Sequence, residues 1–342
     1  MKKHLNTLFV TTQGAYLAKE GETVVVKIDK KVRLRLPIHT LESIVCFGNV
    51  GASPFLLGFC GDKGITFSFL TEYGKFLACV QGPVSGNVLL RRQQYRFADD
   101  RRFSAKLAAF FVTGKIANSR HLLKRVIRDH GDCVDRNLLS KANSRLGNSL
   151  ECLKRDLDLD TVRGVEGDAS HVYFQVFNEL ILTNKGDFFF KRRSRRPPLD
   201  LINCLLSFVY MMLMNDVRSA LESVGLDPGV GFLHRDRPGR FGLALDMMEE
   251  FRPWADRIVL SLVNLGQVKG RDFKKSDGGG VRMSDDARKL VLTVYQKKKQ
   301  DVLVHPFIEE KMLIGLLFHT QALLLARFLR GDLDGYPPMI WR

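Results

Sequence analysis

The stretch GFLHRDRPGRFGLALDMMEEFRPWADRIV, Gly231 to Val259, sets the terms on which the rest of the chain is read. An apolar triplet ends in His234, a basic Pro-Gly turn follows, and a helix-forming run then carries Asp246, Glu249 and Glu250. Carboxylates three and four residues apart on a helix can share one side, so these three predict a local patch of negative charge. Like charges at that spacing cost stability unless something answers them. A bound cation, Arg252 or open solvent would each do so. His234 can close the same site from the preceding loop. The third partner is expected to be Glu166, at the head of the predicted helical run GVEGDASHVYFQVFNELI.

Toward the N-terminus the period of the sequence changes. Up to about residue 90, LNTLFVTT, AYLAKEG, TVVVKIDK, VRLRLPI, LESIVCFG, GITFSFLT and KFLACVQG read as short strands, being rich in β-branched residues and punctuated by Gly, Asp and Lys. SPFLLGFCGDKG between them reads as a short helix and turn. From Leu89 to about His130, apolar residues such as Phe103, Leu107, Phe111, Leu122 and Val126 recur at helical intervals. Arg101, Lys106, Lys115, Arg120, Lys124, Arg125 and Arg128 supply a basic side, which a solvated face explains singly and phosphate contact explains as a set. The chain is therefore predicted to be α+β, with a β-rich N-terminal domain over 1–92 and a larger all-helical domain over 100–330. The segment 331–342, GDLDGYPPMIWR, is expected to be a tail, frayed or docked on a partner through Tyr336, the prolines and Trp341.

Within the helical part, residues 134–160 continue as helix up to the acidic DLDLD run, which is either a loop or a helix start. Glu166 and Gly167 are expected at the beginning of the next helix, with Asp168 and Ser170 capping its first turn. GDFFFKRRSRRPPLD sets Lys191, Arg192, Arg193, Arg195 and Arg196 beside Phe188, Phe189 and Phe190. Base stacking with phosphate contact would use that pairing, and so would aromatic anchors beneath a solvated basic loop. LDLINCLLSFVYMMLMNDVRSALESVG is a mostly buried helix ending near Gly225. GQVKGRDFKKSDGGGVRMSDDA, which holds Lys274, reads as a mobile loop or hairpin; helix returns from Ser284 to Leu303. His305 and Pro306 mark a break, after which PFIEEKMLIGLLFHTQALLLARFLRG is expected to form another long helix.

A formal charge of +16 favours an anionic partner, and nucleic acid is the usual one for a charge of this size. Neither GxGxxG nor a Walker-type GK[ST] occurs, which excludes the common phosphate-binding loops. The six cysteines show no CxxC spacing, so structural zinc is not expected and reduced thiols of a cytoplasmic protein are. MKKHLNTLFVTTQGAY is too short and broken in its apolar run for a secretory signal, and no window is expected to approach a membrane span.

Glu166, His234 and Glu249 offer hard oxygens and one imidazole, which suit magnesium or manganese better than zinc. Asp246, one turn before Glu249, would be a further ligand or an orienting group. Such an ion neutralises phosphoryl oxygens and helps to position a water or a terminal hydroxyl. Each residue also has an ordinary reading: His234 as a satisfied core histidine, the acidic run as a solvated surface.

The ordered combination of GVEGDASHVYFQVFNELI, the helix after Pro198, and GFLHRDRPGRFGLALDMMEEFRPWADRIV resembles the CRISPR-associated integrase of the adaptation module. The likeness takes in the β-rich region and most of the chain, and its pattern looks most like the type I-C branch. The resemblance implies a dimerising N-terminal β domain and a helical catalytic domain. It makes Glu166, His234 and Glu249 ligands of Mg2+ or Mn2+, with Asp246 as the preceding carboxylate, and leaves open whether Glu249 or Glu250 faces the ion. It further implies a homodimeric endonuclease and integrase that works with a small ferredoxin-like second adaptation protein. Short duplex prespacers would be joined through their 3′ hydroxyls to a CRISPR array by transesterification, and double-stranded or branched DNA would be cut. Arg192, Arg193, Arg195, Arg252 and Lys274 are the expected holders of the DNA backbone. Two other functions fit the same residues: a metal-dependent structure-selective DNA repair nuclease, and a non-catalytic nucleic-acid-binding scaffold.

Overall fold

The computed structural model describes residues 6–72, 76–80, 82, 88–276 and 278–341. Residues 1–5 of the opening stretch, 75 and 81 of the KFLACVQG segment, and 277 of the glycine-rich loop lie outside the described residues. The chain forms two compact units, residues 1–86 with 292–300, and residues 87–291 with 301–342. It is α+β, a mixed β unit followed by a larger helical one.

The first unit contains β1 (Asn6–Val10), β2 (Tyr16–Glu20), β3 (Thr23–Ile28), β4 (Lys31–Pro37), β5 (Leu41–Phe47), β6 (Gly51–Ala52), α1 (Pro54–Asp62), β7 (Thr66–Leu70) and β8 (Phe76–Val80). One sheet has the order β1-β5-β7-β8, with β5 parallel to both β1 and β7; the other has the order β4-β3-β2-β6. The turn between β3 and β4 has Asp29 at φ 50° and Lys30 at φ 62°, the backbone of a tight hairpin whose twist matches its strands. Leu17, Val24 and Val26 of one sheet and Ile44, Cys46 and Phe67 of the other share a core with Leu56, Phe59 and Cys60 of α1. Helix α1 starts cleanly because Ser53 accepts from Leu56 N and proline occupies the first turn. Edge strand β4 is exposed along nearly its whole length, Val32 and Leu34 included.

The helical unit opens with α2 (Val88–Asp99) and the 30-residue α3 (Arg101–His130), which Asp100 caps through Arg102 N and Phe103 N. Then follow α4 (Arg136–Cys152), α5 (Leu159–Gln175), α6 (Leu201–Ser223), α7 (Gly242–Met248) and α8 (Arg252–Asn264), with one 3₁₀ turn over Glu249–Phe251 between the last two. The GQVKG to SDDA segment is a hairpin of β9 (Phe273–Lys275) and β10 (Val281–Met283), leading into α9 (Asp285–Lys299). A second hairpin, β11 (Val302–Val304) with β12 (Lys311–Leu313), precedes α10 (Ile314–Arg330).

Several expectations need correction. The helix expected from Pro306 begins only at Ile314: the His305 ring accepts from Phe307 N and Ile308 N, folding the chain into the β11–β12 turn, where Glu309 has φ 61°. Helix α5 starts at Leu159 and not near Glu166, because Asp158 of the acidic run caps it through Asp160 N and Thr161 N. Asp168 and Ser170, expected to cap its start, lie well inside it; Asp168 pairs with Arg145 and Ser170 donates to Glu166. Helix α6 is, by length and composition, apolar enough to cross a membrane, against the expectation that no window approaches this. It is apolar on most sides because it is packed among α7, α8 and α10. Nor is the C-terminal segment frayed: Tyr336 and Met339 are buried in the helical unit.

Candidate active site

Glu166 lies on the middle turns of α5, and Arg163, one turn earlier, reaches from the same helix to donate to Leu233 O at 2.7 Å. That bond ties the GFLH loop to α5. The loop is held equally firmly from behind by Asp246 of α7, a fully buried carboxylate. Asp246 Oδ2 accepts from Phe232 N at 2.6 Å and Leu233 N at 2.9 Å, while Oδ1 accepts from His234 N at 3.0 Å and from the His234 ring Nδ1 at 2.6 Å. Gly231 permits this approach, since a Cβ there would lie 2.7 Å from Gly242 C and 2.9 Å from Asp246 Oδ2. A carboxylate can only accept, so Nδ1 of His234 carries a proton, and its bond to Asp246 sets the orientation of the ring.

Glu249 and Glu250 occupy the 3₁₀ turn between α7 and α8. Lys115 of α3 joins α5 to this turn: its Nζ contacts Glu166 Oε1 and lies 2.7 Å from Glu249 Oε2. Arg252 Nε donates to the other Glu249 oxygen at 2.8 Å, and its guanidinium stands 4.9 Å from the Tyr210 ring. Burial would raise the Glu249 carboxyl, but Arg252 first, then Lys115 and His234, more than offset it and hold it at about 2. Behind them Asp256 of α8 accepts from Tyr210 OH of α6 and, at 3.0 Å, from Tyr173 OH of α5, which fixes the three helices against one another.

Glu250 faces elsewhere. It accepts from Tyr336 OH at 2.6 Å, Met339 N at 2.6 Å and Gln321 Nε2 at 2.9 Å. Burial pushes its carboxyl up to about 8 despite those hydrogen bonds. Asn118 of α3 closes the network by donating to Glu250 O and Met339 O, and by accepting from Trp341 N. The shared negative patch read from the sequence is therefore dissolved: the 3₁₀ turn and three separate sets of partners send Asp246, Glu249 and Glu250 in different directions.

The basic residues also divide. Arg192, Arg195 and Lys274 are exposed. Arg193 is half-buried and committed internally, donating to Asn203 Oδ1, Ser194 O and Ser207 Oγ, and burial holds its guanidinium below the usual value. Arg252 is committed to Glu249 in the same way. Phe188 and Phe190 are buried against Phe273 and Phe174, so these aromatics anchor the basic loop, and Phe189 alone stays partly open. Arg237 and Arg240, which the sequence reading passed over within HRDRPGR, belong to the site's surroundings: desolvation, then Arg237 and Arg195, hold Arg240 below its ordinary value, while Asp246 acts the other way. Lys115 was legible only as one of many basic residues on a long helix.

Among the described residues no three His, Cys, Asp or Glu side chains form a ready metal-holding group. Two carboxylates instead face one Lys115 ammonium, while the His234 ring is held by Asp246 through Nδ1. The donor chemistry of two carboxylates fits a hard divalent ion, and the Lys115 ammonium contacts both of them.

Residues 8–297 match the family described as CRISPR associated protein Cas1. The chain is 56% identical over 343 residues to CRISPR-associated endonuclease Cas1 1 of Chlorobaculum tepidum, covering 100% of both chains. A casposase bound to an integration product has the same fold, with TM-score 0.84 and 20% identity over 98% of this chain and 94% of that one. A chain of a Cas6-RT-Cas1–Cas2 complex gives TM-score 0.81 and 22% identity over 98% of this chain and 36% of that one.

Proposed function

The chain belongs to the Cas1 family of CRISPR-associated proteins, and from that membership we propose a metal-dependent DNA endonuclease and integrase that inserts short duplex prespacers into a CRISPR array. The observation that carries this reading is the pairing of Glu166 and Glu249 across a single cation, beside a histidine whose ring Asp246 holds by Nδ1. Glu166, Glu249 and Nε2 of His234 would hold Mg2+ or Mn2+. When bound, that ion supplies neutralisation of charge on a phosphoryl group.

The protein's own residues supply the rest. Asp246 keeps the His234 ring in one tautomer and one orientation. Arg252 keeps Glu249 ionised at any physiological pH. Exposed Arg192, Arg195 and Lys274, with Arg237 and Arg240, hold the backbone phosphates of DNA, while Arg193 acts as a brace within the basic loop. The 3′ hydroxyl of the incoming strand attacks a phosphorus of the target, the bond to the target's own 3′ oxygen breaks, and that oxygen leaves with a proton. No side-chain nucleophile is needed.

The protein acts as a homodimer, a reading supported by the exposed edge strand β4 with its apolar Val32 and Leu34. A small ferredoxin-like second adaptation protein completes the assembly, in keeping with the Cas6-RT-Cas1–Cas2 complex, one chain of which shares this fold over 36% of its length. The type I-C branch and a cytoplasmic location are part of the same proposal.

The test is joining of a labelled duplex with free 3′ hydroxyls to a supercoiled leader-repeat plasmid, in manganese, magnesium or EDTA, with and without the small partner. Joining that disappears in EDTA and in His234→Ala supports the proposal. Cleavage of branched DNA without joining identifies a repair nuclease. DNA binding that ignores the metal, with no turnover, identifies a scaffold.

A further inference from the structure

Among the described residues Lys115 is the cation that touches both acidic candidates, and it is 11% exposed at a position where the Glu166 side chain, at 26%, forms the open edge. Arg252 is fixed by Glu249 and Tyr210, whereas Lys115 ends a flexible four-carbon stem. The charges of Glu166 and Glu249 are already matched by Lys115 and Arg252. A divalent ion added on top would leave this group with a net charge of about +2, which a poorly solvated site opposes strongly. The ammonium and a divalent ion also need the same carboxylate oxygens.

We propose that Lys115 is a resident cation that holds Glu166 and Glu249 together in the metal-free protein and is displaced when the divalent ion binds. This rests on the metal reading of the site and adds a component to it: the affinity for metal is set by exchange against a side chain, and is therefore weaker than the three donors alone would give. Lys115 is a positioning residue in this role. By linkage, whatever the lysine contributes to stability without metal is subtracted from the binding of metal.

The experiment measures Mn2+ binding to the purified protein by isothermal calorimetry and by loss of the free-ion electron paramagnetic resonance signal, together with melting in EDTA. Lys115→Met keeps the stem and removes the charge. The expected result is Mn2+ binding tighter by about tenfold or more, a lower melting temperature in EDTA, and recovery of that loss when Mn2+ is added. Should this variant fail to fold, Lys115→Arg serves instead: a guanidinium grips two carboxylates more firmly, so Mn2+ should bind more weakly while the EDTA melting temperature is kept or raised. Equal or weaker Mn2+ binding in Lys115→Met, or unchanged binding in Lys115→Arg, overturns the exchange while leaving the metal site standing. Absence of Mn2+ binding in both wild type and variant removes the metal reading itself, and the exchange with it.

Discussion

Glu249 and Glu250 are adjacent in the chain and face unrelated surroundings, the first lying 2.7 Å from Lys115 Nζ and the second accepting from Tyr336 OH at 2.6 Å. Their substitution should separate function from stability. Glu249→Gln is expected to abolish joining and cleavage, because it removes the charge facing the proposed ion. Glu250→Gln should keep both, since the Tyr336 hydroxyl can turn to accept from the new amide. Rates for the two variants under saturating Mn2+ decide it; equal losses would show that the turn acts as one unit.

The same pair has opposite pH signatures. Glu250 goes from 4.5 when free to about 8 when folded, so the folded state binds the extra proton and stability declines as pH rises across that interval. Asp256, raised from 3.8 to about 6 by burial against its tyrosine hydrogen bonds, adds a decline of the same sign that ends earlier. Glu249, held at about 2, contributes stability above about 4.5 that is lost as pH falls toward 2. Denaturant melts of metal-free protein should therefore weaken from pH 6 to pH 8, and Glu250→Gln should flatten that limb.

Asp246→Asn places an amide where four donors already converge. A cost of about 1–3 kcal/mol is expected from the buried mismatch. Loss of the imposed ring orientation should also reduce metal affinity or activity by roughly 10- to 100-fold. Melting and Mn2+ titration together check this, and a variant with lowered stability but normal metal affinity would place the role of Asp246 in the loop alone.

Exposed and committed arginines should behave differently toward salt. Arg192→Ala with Arg195→Ala should lower the slope of log affinity against log salt by about 0.9 for each phosphate that is no longer neutralised. Arg193→Ala should instead lower the melting temperature, because it strips hydrogen bonds from Asn203 and Ser207. DNA titrations at several salt concentrations distinguish them.

Tyr336→Phe removes the hydroxyl shared by Glu250 and Gln321. A loss of about 1–3 kcal/mol is expected, read by denaturant melts, with DNA binding retained.

The fold was legible wherever one period persisted. The β-branched runs before residue 90 and the apolar spacing of α3 and α6 follow directly from burial on one face or on most sides. Local chemistry decided the exceptions. The capping of α5 by Asp158 moved the start of that helix, and the His305 ring built a hairpin from residues whose spacing resembles a helix. At the site, GFLH and DMMEE name the residues but not their directions, because a single 3₁₀ turn redirects Glu249 from Glu250. Lys115 lies 51 residues from its Glu166 partner, and nothing in the basic pattern of α3 marks it apart from its neighbours.

Residues 292–300, the second half of α9 and the residue after it, belong to the β unit, where Gln296 donates to Thr7 O. During synthesis the last piece of this unit leaves the ribosome long after its strands have emerged. The gene segment is correspondingly not portable: a fragment ending at residue 86 lacks part of its own folded body, and any fusion meant to carry this β unit must supply that helical piece as well.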